Sequence, residues 1–184
     1  MTDAAPESSQ PRKRSSRQQK TALETAAGIL AARPCSKLEL RRKLYKKEKF
    51  EPREIEQAVR KLEELGFLSD LRFCEDVVTV LRSRGYGPVR IRSRLFTKGI
   101  PKEIIEQVME SPESGFNPVD LTADAVALFE KNQSRFIRES DPKKRYAKAF
   151  RFLISRGFTP DVVYSVMNQK KNLFGTNSGY QDDF

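Results

Sequence analysis

The most chemically distinctive part of this 184-residue chain is a run of cations between Leu81 and Pro101. The run holds six lysines and arginines and neither Asp nor Glu, although acids and bases are mixed elsewhere in the sequence. Arginine makes forked, charge-assisted hydrogen bonds with phosphate and carboxylate groups. The chemistry that this stretch predicts is therefore the binding of a polyanion.

A short helix is predicted to present these cations. Gly87 and Pro88 are typical of a helix start, because glycine can act as the N-cap and proline suits the first helical position. Gly99 is typical of a helix end, because glycine readily adopts the left-handed conformation found there. Ile91 and Leu95, four residues apart, predict a buried apolar stripe along one side of this helix.

Three of the cations share another side of the same helix. Arg90, Arg94 and Lys98 are spaced four apart, so their side chains are neighbours on the helix surface. This ridge lies about 100° around the helix from the apolar stripe, so it can stay solvated while the stripe is buried. The spacing therefore predicts a helix with an apolar face and a cationic edge.

The composition of the whole chain favours a binding protein over an enzyme. The net charge is +10, which favours a nucleic acid or another anionic surface as partner. The chain has no histidine, no glycine-rich phosphate loop and no cluster of metal ligands, so we expect no catalysis, no cofactor and no metal.

The cysteines and the hydropathy indicate a cytoplasmic protein. Cys35 and Cys74 are isolated and match no metal or redox spacing, which is typical of reduced thiols. No run of about 18 apolar residues is present, so no membrane span is predicted. The N-terminus lacks the apolar centre of a secretion signal.

The pattern of apolar residues predicts nine helices, no strands, and an internal repeat. When Phe50, Ile100 and Phe158 are aligned, apolar residues recur five, eight and nine positions later in all three segments. Proline follows each of the three within two residues. This predicts an all-α chain of three tandem three-helix repeats. Each repeat buries only a small core, so stacking of neighbours should give an elongated, curved rod.

The predicted organisation has five parts. Residues 1–20 form a disordered basic N-terminal arm, because they are polar and rich in Ser, Gln, Pro and Arg. The three repeats occupy residues 21–68, 69–111 and 117–170. Residues 171–184 are predicted to be a disordered C-terminal tail, because they are rich in Gly, Asn and Ser. Within the first repeat, Ser36 and Glu39 predict a helix capping box.

The repeat alignment shows which unit is best suited to bind an anion. The three ridge positions hold Glu39, Lys43 and Lys47 in the first repeat, and Lys148, Phe152 and Arg156 in the third. Only the middle repeat has three cations there. Acid-free clustering on one face is the pattern of a nucleic-acid footprint. The predicted polyanion-binding set, with its flank in the first repeat, is Arg82, Arg84, Arg90, Arg94, Lys98, Lys43 and Lys47.

Specific motifs in the same region resemble the RecX family, bacterial regulators of the RecA recombinase. They are LGFLSD at residues 65–70 with Phe73, and GPxRIxxxLxxKGI at residues 87–100, supported upstream by AARP at 31–34 and SxxEL at 36–40. The likeness covers about residues 22–167. Two departures are visible: the family usually has an acid at the position of Arg94 and often has alanine at that of Cys74.

The resemblance implies a fold and a function. The protein would have three tandem three-helix repeats and would lie in the groove of the RecA filament on single-stranded DNA. One rod per site needs no dimer, so we expect a monomer. It would bridge neighbouring protomers and suppress ATP hydrolysis and strand exchange. A slender basic rod suits this role, because many weak contacts along a polymer combine into slow dissociation.

Two other interpretations remain open from the sequence. Short helices joined by tight turns also occur in helix-turn-helix proteins that bind an operator, although the candidate recognition helix at residues 52–65 is rich in Glu. A protein–protein adaptor with incidental charge would have no affinity for DNA. Binding to a defined duplex sequence would favour the operator-binding protein. Partner binding that survives charge reversal of the basic residues would favour the adaptor.

Overall fold

A computed structural model of the chain describes residues 20–175, and within that range the secondary structure is entirely helical. Its α-helices are α1 (Ala22–Ala32), α2 (Lys37–Tyr45), α3 (Pro52–Glu64), α4 (Asp70–Ser83), α5 (Pro88–Thr97), α6 (Lys102–Glu110), α7 (Pro118–Ile137), α8 (Pro142–Arg156) and α9 (Pro160–Gln169). Two short 3-10 helices span Pro112–Ser114 and Lys171–Phe174. None of the described helices is long and apolar enough to cross a membrane.

The helices pack in threes, and each triplet has its own hydrophobic core. The extensively packed pairs of α-helices all lie within α1–α3, α4–α6 or α7–α9. The largest buried side chains include Leu40, Leu44 and Ile55 in the first core, Ile91 and Leu95 in the second, and Phe129, Phe136 and Leu153 in the third. Phe116, in the connector before α7, packs against both the second and the third core. The prediction of an all-α chain of tandem three-helix repeats is thus confirmed.

Matching contacts within the repeats support their alignment. Equivalent positions on the second and third helix of each repeat face one another: Arg41 with Glu56, Arg92 with Glu106, and Phe150 with Tyr164. The first two pairs are ion pairs with N–O distances of 2.8 and 3.2 Å. The third pair is a ring contact with centroids 5.2 Å apart. The third repeat therefore has an aromatic pair at the place in the fold where the first two repeats have an ion pair.

Local signals account for the helix boundaries. The capping box is present, with the Glu39 amide donating to Ser36 Oγ at 3.1 Å and the Ser36 amide to Glu39 Oε2 at 3.4 Å. Gly99 and Gly157 are left-handed residues just past α5 and α8, with φ of 74° and 92°. The apolar pattern predicts the seventh helix over about residues 119–132, but α7 continues to Ile137. The reason is that Phe136 in its last turn is buried against Phe129, with ring centroids 5.2 Å apart.

The second helices of the repeats follow one another head to tail. At the junction of repeats two and three, the amides of Gly87 and Val89 donate to the carbonyls of Arg156 and Gly157 at 2.9 and 3.1 Å. The free N–H groups at the start of α5 thus meet the free carbonyls at the end of α8, which also aligns their dipoles favourably.

The junction of repeats one and two is built in the same way. Ser36 at the start of α2 donates its hydroxyl to the carbonyl of Lys98 at the end of α5, at 2.6 Å. The Lys37 amide donates to Asp70 Oδ1 at 2.9 Å, and Asp70 is buried. The second helices therefore follow the order α2, α5, α8 along the molecule. The start of α2 contacts the end of α5, and the start of α5 contacts the end of α8.

The predicted tail at residues 171–184 differs from the structure at its beginning. Lys171–Phe174 form a 3-10 helix, and Phe174 is only 1% exposed within the third core. Arg145 Nη1 holds this turn by donating to the carbonyl of Leu173 at 2.6 Å. The composition of this segment is that of a tail, so it did not predict the burial of Phe174 in the third core. Residues 176–184 of this predicted tail, and the predicted N-terminal arm except Lys20, lie outside the described residues.

Candidate polyanion-binding surface

Arg90 lies at the junction of repeats two and three, with its side chain exposed. Its backbone packs on Gly157, where an added Cβ would stand 2.4 Å from both the amide nitrogen and the Cβ of Arg90. Glycine at 157 therefore permits the close approach of α8 that brings Arg90 beside the end of that helix.

Arg94 is held by an aromatic ring rather than by a carboxylate. Its guanidinium carbon lies 4.4 Å from the centroid of Tyr86, and its Nη2 donates to the Tyr86 hydroxyl at 3.2 Å. Arg156 of the third repeat contacts the same ring at 5.3 Å. Stacking on a ring leaves the N–H edges of a guanidinium available for an anion, and it orders the side chain beforehand.

The alternation of cations and rings continues into the third repeat. The guanidinium carbon of Arg156 also lies 5.2 Å from the centroid of the Phe152 ring, and that of Arg135 lies 5.6 Å from the same centroid. Within residues 20–175, none of the ion pairs involves Arg90, Arg94, Arg135 or Arg156. In the described part of the chain, none of these four side chains therefore has a carboxylate within ion-pairing distance. We call Arg90, Arg94 and Arg156 the arginine junction.

At the corresponding junction between repeats one and two, one of the cations is paired with a carboxylate. Lys98 Nζ forms an ion pair with Glu39 Oε1 at 2.9 Å. Glu39 and Lys98 occupy the positions that Arg90 and Arg156 occupy one repeat later. Burial would raise the pKa of Glu39, but the hydrogen bond and charge of Lys98 and the Ser36 amide outweigh it and lower the pKa. One junction thus holds a salt bridge where the next holds two cations.

An open groove between the first two repeats contains three of the predicted site residues. Arg84, Arg94 and Lys98 line it together with an apolar floor that includes Phe73 and Leu81. Glu39 and Asp76 also line the groove. Its charge is therefore mixed, so it is less suited to a polyanion than the arginine junction.

Arg82 and Lys98 are engaged inside the molecule, which the sequence did not predict. Arg82 Nε pairs with Asp124 Oδ2 at 2.6 Å, and its Nη1 donates to the carbonyl of Ser114 at 3.2 Å. These bonds tie repeat two to repeat three, as the pair between Lys98 and Glu39 ties repeat one to repeat two. We therefore assign both cations a bracing role instead of a place in the binding surface.

The two predicted flanking cations lie on the first repeat. Lys47 is exposed beyond the end of α2, and Lys43 is half-buried on that helix. Burial raises the pKa of Cys35, and the charge of Lys43 partly opposes that effect. Burial likewise raises the pKa of Cys74 to about 11. Both thiols are free and buried, and a raised pKa makes a buried thiol unreactive.

Sequence reasoning missed Arg156 and the ring of Tyr86. Arg156 was visible as the repeat-three counterpart of Lys98, but Phe152 beside it suggested packing instead of binding. The structure shows that this phenylalanine is a platform for Arg156. In the described part of the chain, no group of three or more His, Cys, Asp or Glu residues could hold a metal ion.

Comparison with known sequences identifies all three repeats. The chain matches the sequence models for the first, second and third three-helix domains of RecX at residues 22–62, 69–109 and 120–167. It is 32% identical to the regulatory protein RecX of Legionella pneumophila, over 83% of this chain and 97% of that protein. It is 35% identical to that of Stenotrophomonas maltophilia, over 83% and 88%.

Comparison with solved structures supports the fold. The crystal structure of RecX from Lactobacillus salivarius superposes with a TM-score of 0.70, covering 82% of this chain and 95% of that one. The two sequences are 21% identical, so this likeness concerns the architecture alone.

Proposed function

The chain belongs to the RecX family of regulatory proteins, and we propose that it binds the RecA filament on single-stranded DNA as a non-enzymatic inhibitor. In this proposal a monomer lies along the filament groove and suppresses ATP hydrolysis and strand exchange. The relatives named above are regulatory proteins, which agrees with a role in binding and not in catalysis.

The observation that carries the proposal is the arginine junction. Of the three arginines of this junction, Arg94 and Arg156 come from two repeats and share the ring of Tyr86, beside the exposed Arg90, whereas the preceding junction has a salt bridge. Two of them stack on Tyr86, so little side-chain freedom is lost when an anion binds. Forked N–H groups with no carboxylate partner in the described part of the chain suit the phosphates of DNA.

The arrangement in tandem repeats also supports binding to a polymer. Three small units in a row can contact several subunits of a filament at once, and the separate contacts reinforce one another. We expect the DNA component of this binding to weaken steeply with salt, because each neutralised phosphate releases counterions.

Charge reversal at the arginine junction tests the proposal. We expect wild type to inhibit the ATPase of the recombinase on single-stranded DNA. The double variant Arg90→Glu with Arg94→Glu should need at least about tenfold more protein for the same inhibition, because two phosphate contacts become repulsive. The measurement is steady-state ATP hydrolysis with the protein titrated in.

A matched control separates local from overall charge. Arg53→Glu with Arg60→Glu makes the same charge change at two exposed positions of α3. This control should inhibit like wild type, and thermal melting should show that both variants are folded. Equal inhibition by the two double variants would refute the assignment of the arginine junction.

A further inference from the structure

Each repeat exposes one large apolar side chain at the same place on its second helix. Tyr45, Phe96 and Ile154 are 46%, 73% and 38% exposed. Each lies three residues before the left-handed residue that follows its helix, which is Glu48, Gly99 and Gly157 in turn. In all three repeats the amide of that left-handed residue donates to the carbonyl of the apolar residue, at 3.0, 2.9 and 2.9 Å. The three positions are therefore structurally equivalent. We call them the apolar row.

Their recurrence is more informative than their exposure. Single exposed hydrophobic residues are ordinary on protein surfaces. Here the exposed residue returns once per repeat, on helices that follow one another head to tail along the molecule. The residues at these positions differ in type but keep a large apolar surface in contact with solvent. A row of this kind is suited to a partner whose own surface repeats.

The charge around the apolar row indicates what kind of partner surface would fit. Helices α5 and α8 contain no Asp or Glu, and the single acid of α2, Glu39, is paired with Lys98. The exposed Glu48 that follows Tyr45 is outnumbered by the exposed Lys46, Lys47 and Lys49. Exposed cations such as Arg42 and Arg151 accompany the row on α2 and α8. The complementary surface is therefore an apolar pocket bordered by acidic side chains.

The apolar row and the arginine junction occupy different sides of the molecule. Phe96 and Arg94 are two residues apart on α5, so their side chains point about 160° apart around that helix. Both surfaces can thus be occupied at the same time by different components of one assembly.

We propose that the apolar row docks on a homopolymer of identical protein subunits, with one apolar side chain entering an acid-bordered pocket on the polymer at each repeat. This inference rests on the proposed function, in which the polymer is the recombinase filament. In this assignment the apolar row contacts the protein subunits of the filament, and the arginine junction contacts its DNA.

Two triple variants test this assignment. Tyr45→Ala, Phe96→Ala and Ile154→Ala together remove the row. Leu65→Ala, Phe67→Ala and Val119→Ala remove three apolar side chains that lie outside the second helices and are 54%, 71% and 78% exposed. Binding of each to the recombinase filament and to a bare single-stranded oligonucleotide is measured by fluorescence anisotropy. The row variant should bind the filament at least about tenfold more weakly and bind the bare oligonucleotide like wild type. The control variant should match wild type in both measurements.

The outcomes distinguish this inference from the proposed function. If wild type binds the filament and the row variant binds it equally well, the docking face is wrong and the proposed function stands. Equal losses in both triple variants would also refute the docking face. If wild type does not bind the filament, the proposed function fails and this inference fails with it. The single variant Phe96→Ala, which removes the most exposed member, should show a smaller loss of the same kind and serves if the triple variant does not fold.

Discussion

Glu39 and Arg90 show how one residue decides what a junction between repeats can do. Both stand at the same helical position beside the end of the next second helix. Glu39 neutralises Lys98 there, whereas Arg90 adds to the positive charge of Arg156. The ion pair at the first junction stabilises the contact between repeats, whereas the cations of the second junction remain available for a partner.

The lowered pKa of Glu39 predicts how the first junction depends on pH. A carboxyl whose folded-state pKa is depressed stabilises the fold above its unfolded-state pKa of about 4.3, and this contribution is lost as the pH falls through the lower folded-state value. Glu39→Gln should therefore reduce the free energy of unfolding by about 1 kcal/mol at pH 7. The difference from wild type should shrink progressively below about pH 4.3, as measured by urea unfolding at several pH values.

A second variant identifies the partner in this effect. In a Lys98→Met background, Glu39→Gln should show a reduced pH dependence, because the main cause of the lowered pKa is absent. A stability difference that stayed constant from pH 7 to pH 3 would contradict the role of this ion pair.

At the scale of helices, the junctions depend on backbone contact between helix ends. Amides at the start of α5 donate hydrogen bonds to carbonyls at the end of α8, and both groups would otherwise bond to water. This contact requires a residue without a side chain at Gly157, where φ is +92° and Arg90 lies against the position of a Cβ. Gly66 after α3 also has a positive φ, of +73°, but nothing lies within 4 Å of its Cβ position.

These two glycines form a matched pair for a stability measurement. Gly66→Ala should cost about 1–2 kcal/mol, the strain of a left-handed alanine alone. Gly157→Ala should cost about 1–3 kcal/mol more, because the junction must also open to admit the methyl group. Hydrogen exchange of the Gly87 and Val89 amides should accelerate only in Gly157→Ala. Equal unfolding free energies for the two variants would show that the junction contributes little.

At the scale of the whole molecule, stability is divided among three cores. Extensive helix packing stays within repeats, and the repeats are joined by a few specific bonds, notably Arg82 to Asp124 and Ser36 to Lys98. Such chains behave as a series of units coupled to their neighbours. A rod held in this way can adjust at its junctions while each unit keeps its shape, which suits contact with an extended polymer.

The division into cores predicts a local response to a cavity. Leu95 is fully buried in the second core, so Leu95→Ala should cost about 2–5 kcal/mol. Hydrogen exchange measured by mass spectrometry should show the largest loss of protection in Asp70–Ser83, Pro88–Thr97 and Lys102–Glu110. An equal loss throughout the chain would mean that the three cores unfold as one, and an unchanged melting temperature would contradict the burial of Leu95.

The sequence by itself determined the helices, most of their ends and their threefold repetition. These features depend on local periodicity and on residues with special backbone preferences. The burial of Ile91 and Leu95, the Ser36 cap and the left-handed Gly99 were therefore predictable from a few neighbouring positions. The extent of the third core was not, because Phe174 reaches it from a segment whose composition is that of a tail.

Only the tertiary structure decided which cations are free to bind. Lys98 is neutralised by a carboxylate 59 residues away in the chain, and Arg82 by one 42 residues away. Arg156 reaches the ring of Tyr86 from the following repeat. The available charge of a side chain depends on the groups within a few ångströms of it, and the repeats bring those groups together from distant parts of the sequence.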